Sequence, residues 1–263
     1  MLLACCATPS RQLSTRAVDD PIVLPARMTS VSVTSSAWQY QSSADGPSYN
    51  VLPALRWGLT NRLEWDVTSF GYAFLDDAPS SPGGQAPLSL AAHAGSSGVA
   101  ASSTDGLVLF PTASVDLIKH LDPRWLLSGG MAWDARWSRT PVIATDGVNA
   151  RLEPTGSRWA DLSAYISVLR QLNGNLALGA SFSADEYTDC LSPLCEQLSR
   201  GVGASLRLVY RPLPWLSFAL VPRAGLRARP SALRMPVAPA DPVDMPPETA
   251  SWFGCRAAVA FYY

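Results

Sequence analysis

Between Arg124 and Ser138 the chain changes chemical character at every step. Trp125, Leu127, Gly129, Met131, Trp133, Ala135 and Trp137 share one parity. Arg124, Ser128, Gly130, Asp134, Arg136 and Ser138 share the other, with Leu126 and Ala132 among them. Side chains of a strand alternate between its two faces, so this segment reads as a strand with one apolar and one polar face. Tryptophan brackets the apolar stripe. Trp125 to Trp133 spans roughly 26 Å at ~3.3 Å per residue. After ~40° of tilt that is about 20 Å of depth, close to the ~25 Å apolar band of a membrane barrel wall. The charged face then turns inward and the apolar face outward, the reverse of a soluble sandwich.

The same design recurs. At 175–185, Leu176, Leu178, Ala180, Phe182 and Ala184 alternate with small or polar residues. At 201–211, Val202, Ala204, Leu206, Leu208 and Tyr210 alternate with Gly201, Gly203, Ser205, Arg207 and Arg211. At 215–227, Leu216, Phe218, Leu220, Ala224 and Leu226 oppose Ser217, Arg223, Gly225 and Arg227. Hydrophobic residues make up 48% of the chain and charged residues 16%, the latter well below the ~25% of soluble domains. No stretch approaches the ~18 apolar residues of a membrane-spanning helix. Strands that cross lipid must close on themselves, because an open edge leaves backbone groups without partners. The formal net charge of −1 supplies no field for nucleic acid.

The expected fold is therefore all-β: an antiparallel up-and-down transmembrane barrel. Segments at 28–41, 50–59, 107–120, 124–138, 158–171, 175–188, 200–211, 215–229 and 250–263 read as strands. Residues 62–106 decide the count. Leu63, Trp65 and Val67 have one parity and Phe70, Tyr72 and Phe74 the other, so a turn or a bulge lies near Thr68-Ser69. A turn gives twelve strands, the reading favoured here; a bulge gives ten. Tight-turn signals at Thr60-Asn61, Leu121-Asp122-Pro123, Leu172-Asn173-Gly174 and Pro212-Leu213-Pro214 alternate with longer polar stretches at 139–157, 189–199 and 230–249. That predicts short turns at one rim and long loops at the other.

Residues 1–27 stand apart from the barrel at 28–263. Leu2-Leu3-Ala4-Cys5 resembles a bacterial lipobox, with Cys5 as the lipidated residue; an export signal lacking its front end is the other reading. Residues 7–27 are polar, carry Pro9, Pro21 and Pro25, and show no period, which reads as a linker or periplasmic tail. Cys190 and Cys195 lie in a polar segment where a loop-closing disulfide suits them. Their spacing matches no common zinc motif, and no metal or cofactor is expected.

The chain ends with Phe253, Cys255, Ala257, Val259, Phe261 and Tyr263 on one parity. This resembles the last strand of bacterial outer-membrane proteins, whose terminal aromatic is read by the barrel-assembly machinery. The resemblance implies Phe261 and Tyr263 as that signal, the Gram-negative outer membrane as location and its lipid as surroundings. The run Arg56-Trp57-Gly58-Leu59-Thr60-Asn61-Arg62-Leu63-Glu64 resembles a hairpin of outer-membrane transporters of aromatic-degradation pathways. It implies a transport role. In physical terms Trp57, with Trp125, Trp133 and Trp137, would belong to the aromatic girdle, while Arg56 and Glu64 face the lumen.

The candidate functional residues are charges on inward parities: Arg56, Glu64, Asp134, Arg136, Asp161, Asp185, Arg207, Arg223, Arg227 and Arg256. Two readings stand. The charges line a narrow channel or uptake path for a small hydrophobic or anionic solute, the arginine-rich late strands favouring anions. Alternatively, Arg–carboxylate pairs brace a non-conducting wall. A barrel hydrolase would need His93 or His120, the only two histidines; His93 could address Ser89 or Ser96, but an ordinary polar role is the simpler reading, and no enzyme is expected. A soluble all-β surface lipoprotein anchored by Cys5 would leave the outward tryptophans exposed to water.

Overall fold

The computed structural model describes residues 13–40, 47–76, 88–102, 106–146, 149–190, 196–228 and 249–263. Side chains are described at these positions apart from 40, 97–110, 136–146, 149–159, 188–190 and 196–198. Twelve strands pair in sequence order: β1 (Thr29–Tyr40), β2 (Ser48–Gly58), β3 (Leu63–Asp66), β4 (Ser69–Asp76), β5 (Leu88–Ser102), β6 (Gly106–Asp122), β7 (Trp125–Asp146), β8 (Asn149–Gln171), β9 (Leu176–Cys190), β10 (Glu196–Leu213), β11 (Leu216–Ala228) and β12 (Thr249–Tyr262). Every pairing is antiparallel, and β12 closes on β1 with Phe261 opposite Val31. Thr29 and Tyr263 complete the seam by exchanging backbone hydrogen bonds of 2.9 and 2.8 Å.

The outward parity carries the apolar side chains that sequence alternation places there. Leu206 is 57% exposed and Phe218 40%, which suits hydrocarbon as solvent. The turns at one rim are built by their own side chains. Asp122 Oδ1 accepts the N–H groups of Arg124 and Trp125, Asn173 Oδ1 those of Asn175 and Leu176, and Thr60 Oγ1 those of Arg62 and Leu63. These are the local side-chain-to-backbone bonds for which Asp, Asn and Thr are favoured in turns.

The parity switch at Thr68-Ser69 is a turn: β3 and β4 form a short hairpin through Val67-Thr68. It stops part-way up the wall, where Val67 N–H donates to the Leu55 carbonyl at 3.3 Å. Beyond it, Ser48–Ala54 of β2 pair with β1 on one side and with no described strand on the other. Among the described residues the wall therefore has twelve strands at the tight-turn rim and ten at the opposite rim. The stretch 139–157, expected as a long loop, is instead paired strand: β7 and β8 continue together to Asp146 opposite Asn149. Polar alternation continues past the membrane depth there, and composition alone reads it as loop.

Residues 13–28 are not a linker. They fold back into the barrel at the tight-turn rim, with one 3-10 turn over Ala17–Asp19. Ala17, Val18, Ile22, Val23, Leu24 and Met28 are buried. Ala17 and Val18 pack on inward Leu126, Leu169, Ala177 and Val209. Ile22 and Val23 pack on Ala73 and Ala91, with Ile118 touching both clusters. This accounts for Leu126, an apolar residue on the polar parity of β7: it meets the plug rather than water. The segment has no repeating backbone structure, so it leaves no periodic signal in sequence. Arg27, at a φ of 66°, turns the chain out of the lumen into β1.

Candidate functional site

The lumen has a floor and two walls of opposite charge. The floor is the plug, moored at two points. Arg211 on β10 is 1% exposed and holds Asp20 through two hydrogen bonds of 2.5 and 2.8 Å. It also donates to the Ser14 carbonyl at 2.8 Å and lies over the Tyr262 ring. At the second mooring Glu64 on β3, 2% exposed, accepts the Leu24 N–H at 2.7 Å. Arg56 on β2 clamps both oxygens of that carboxylate, at 2.6 and 2.5 Å.

Above the floor a cavity of about 450 Å³ opens along β2–β7, lined by Arg56, Glu64, Asp66, His93, Asp116 and Asp134, with Ile22 below. His93 lies between two carboxylates, Nδ1 3.6 Å from Glu64 and Nε2 3.9 Å from Asp116. Asp116 accepts the Tyr165 hydroxyl at 2.7 Å and the Ser114 hydroxyl at 3.2 Å. Gly130 makes this meeting possible, since a Cβ there would come within 2.6 Å of Asp116 Oδ1 and 2.8 Å of the Tyr165 ring.

The second cavity, of about 550 Å³, lies along β7–β12 and carries Arg207, Arg223 and Arg256. A row of hydroxyls crosses its wall in register: Ser128 opposite Ser167, Ser167 opposite Ser181, Ser181 opposite Ser205, and Ser205 opposite Arg223. Ser128 and Ser167 are 2.6 Å apart, Ser181 and Ser205 2.7 Å. Arg223 lies over the ring of Trp252, which faces inward. Higher up, Arg227 donates to Asp185 at 2.7 Å. Asp161 stands opposite Asp134 across β7 and β8, and its Oδ1 has no described hydrogen-bond partner.

Of the residues singled out from sequence, Arg56, Glu64 and Asp134 fall on the acidic wall, and Arg207, Arg223 and Arg256 on the basic one. Asp185 and Arg227 meet as an ion pair. Trp57 and Trp133 point outward, 47% and 40% exposed, and Trp125 carries Arg170 over its ring. Phe261 and Tyr263 lie at the tight-turn rim beside β1. The side chains of Arg136, Trp137 and Cys190, and residues Cys5 and Cys195, lie outside the described residues. Three parts of the site are not apparent from charge alone: the plug, the serine row and Trp252. Trp252 shares the parity of Arg256, which is the signal that places it inside.

No family model matches the chain, and no curated protein sequence does. Among solved structures, an outer membrane channel from Pseudomonas putida F1 is 11% identical, over 91% of this chain and 97% of that one, with a TM-score of 0.44. OmpT, an outer membrane protein of Vibrio cholerae, is 8% identical over 89% and 96%, with a TM-score of 0.39. A mutant of TodX, a monoaromatic hydrocarbon channel, is 8% identical over 91% of each chain, with a TM-score of 0.36. By its own geometry the chain is a membrane-spanning antiparallel barrel of twelve strands, and the proteins it is similar to include outer membrane proteins of Vibrio cholerae and Pseudomonas putida.

Proposed function

We propose that the protein is an outer-membrane uptake barrel that admits a small solute into its lumen and holds it above a displaceable N-terminal floor. The observation that carries this reading is the division of labour among the inward charges. Arg56 and Arg227 are engaged by Glu64 and Asp185, and Arg211 by the plug. Arg207 and Arg256 line the cavity and form no ion pair with any described residue. A wall that was only braced would have no use for cations left facing water. The lumen offers binding and electrostatic selection, with no bond-making step.

Single-channel recording in planar bilayers tests it. The full chain is expected to show small conductance, and a variant lacking residues 13–26 a larger one, because the floor is gone while every strand remains. Silence from both, with the barrel demonstrably folded by its heat-dependent mobility on gels, would establish the non-conducting bracing role instead.

A further inference from the structure

We infer that the basic wall of the lumen is a binding site for a small organic carboxylate, with Arg207 and Arg256 gripping the carboxylate and the apolar patch between them receiving its body. The inference rests on the reading of the lumen as a solute compartment and names what that compartment holds.

The placement comes from strand register. Arg256 stands opposite Val221 on β11. Arg207 reaches the same level, since the flanking pairs are Ser205 with Arg223 and Leu208 with Leu220. Two guanidinium groups therefore rise from alternate strands, with backbones about 10 Å apart at the usual ~4.8 Å strand spacing. Arginine side chains at that separation can converge on one anion, and a planar fork matches a carboxylate in two parallel hydrogen bonds. Neither side chain makes a hydrogen bond or ion pair to a described residue, and both are solvent-exposed within the lumen.

What surrounds them narrows the class. Val221 lies between the two arginines, and Ala219 and Ala258 line the same cavity. An inorganic oxyanion would leave that surface unused. A neutral hydrocarbon would desolvate two cations without compensation, at a cost no apolar contact of this size recovers. The Ser128–Ser205 row supplies hydroxyls that can turn to donate to a second oxygen. The opposite acidic wall of Glu64, Asp66, Asp116 and Asp134 orients an anion toward the arginines by repulsion. A cavity of about 550 Å³ accommodates a molecule the size of benzoate or a short fatty acid.

The test is calorimetric titration of the full-length protein in detergent with benzoate, benzamide and sulfate, repeated for Arg207→Gln, Arg256→Gln and, as a control at the rim turn, Arg124→Gln. Benzoate is expected to bind saturably. Each lumenal substitution should weaken it about tenfold, in keeping with loss of a charge-assisted contact, and the control should leave it unchanged. Benzamide, the neutral isostere, and sulfate should bind far more weakly. Wild-type affinity in both lumenal variants, or equal binding of benzamide or of sulfate, overturns the proposal. Heat-dependent gel mobility confirms that each variant is folded. Conductance of the same preparations separates the two readings: binding without conductance keeps the site and removes the channel, and conductance without binding does the reverse.

Discussion

The carboxylate of Glu64 accepts the backbone N–H of Leu24 at 2.7 Å, joining the third strand of the wall to the segment that fills the lumen. The bond is buried: Glu64 is 2% exposed and Leu24 3%. Removing the acceptor leaves a donor without water or partner, which costs about 1–3 kcal/mol. Glu64→Ala should therefore loosen the plug roughly tenfold or more, read as faster limited proteolysis within residues 13–27 and as larger conductance. Glu64→Gln, which can still accept the Leu24 N–H, should fall between. Wild-type proteolysis in Glu64→Ala would show that this mooring carries no load.

The second mooring should respond asymmetrically. Asp20 is one-third exposed and Arg211 almost completely buried. Asp20→Ala strands a buried cation, so the loss should approach the ~3–5 kcal/mol seen for breaking buried pairs, trimmed by the exposure of Asp20. Arg211→Met removes the buried charge and leaves Asp20 able to reach water, so it should cost less. Amide hydrogen exchange at Val18 and Leu24 measures both. An order opposite to this would mean the pair is governed by something other than burial of Arg211.

Close approach of the plug to the wall gives a third prediction. A Cβ at Gly58 would lie 1.9 Å from the Pro25 carbonyl oxygen and 2.6 Å from that of Leu24. Gly58→Ala should displace the plug while the barrel still forms, giving exposed residues 13–27 with heat-dependent mobility intact. Retention of a protected plug in this variant would contradict the packing described.

The outer face is tested independently of the lumen. Leu206→Arg and Phe218→Arg should each destabilise folding into lipid vesicles by ~2–4 kcal/mol if near the midplane. Denaturant titration of vesicle-inserted protein checks this. A neutral result at both positions would reverse the assignment of inside and outside.

Most of the wall was legible because a strand's two faces meet different solvents. Leu206, Phe218 and Phe253 announce lipid by parity, as Arg207, Arg223 and Arg256 announce the lumen. The turn at Thr68-Ser69 was legible as a parity switch, although parity alone allowed a bulge. The plug was not legible: Val18, Ile22, Val23 and Leu24 are buried by tertiary contacts at irregular spacing, and no backbone period records that. Its trace lay instead in Leu126, Leu169 and Val209, apolar residues on polar parities. The extent of β7 and β8 was missed because strand pairing above the membrane needs no apolar face.

The short β3–β4 hairpin has a mechanical consequence for the surrounding bilayer. β3 is four residues long, whereas β7 and β8 have 22 and 23. Among the described residues, Ser48–Ala54 of β2 have a ladder partner on one side only. Backbone groups that meet lipid without a partner draw water and headgroups inward. Solvent is therefore expected to reach deepest into the bilayer on this flank, beside Leu55 and Val67.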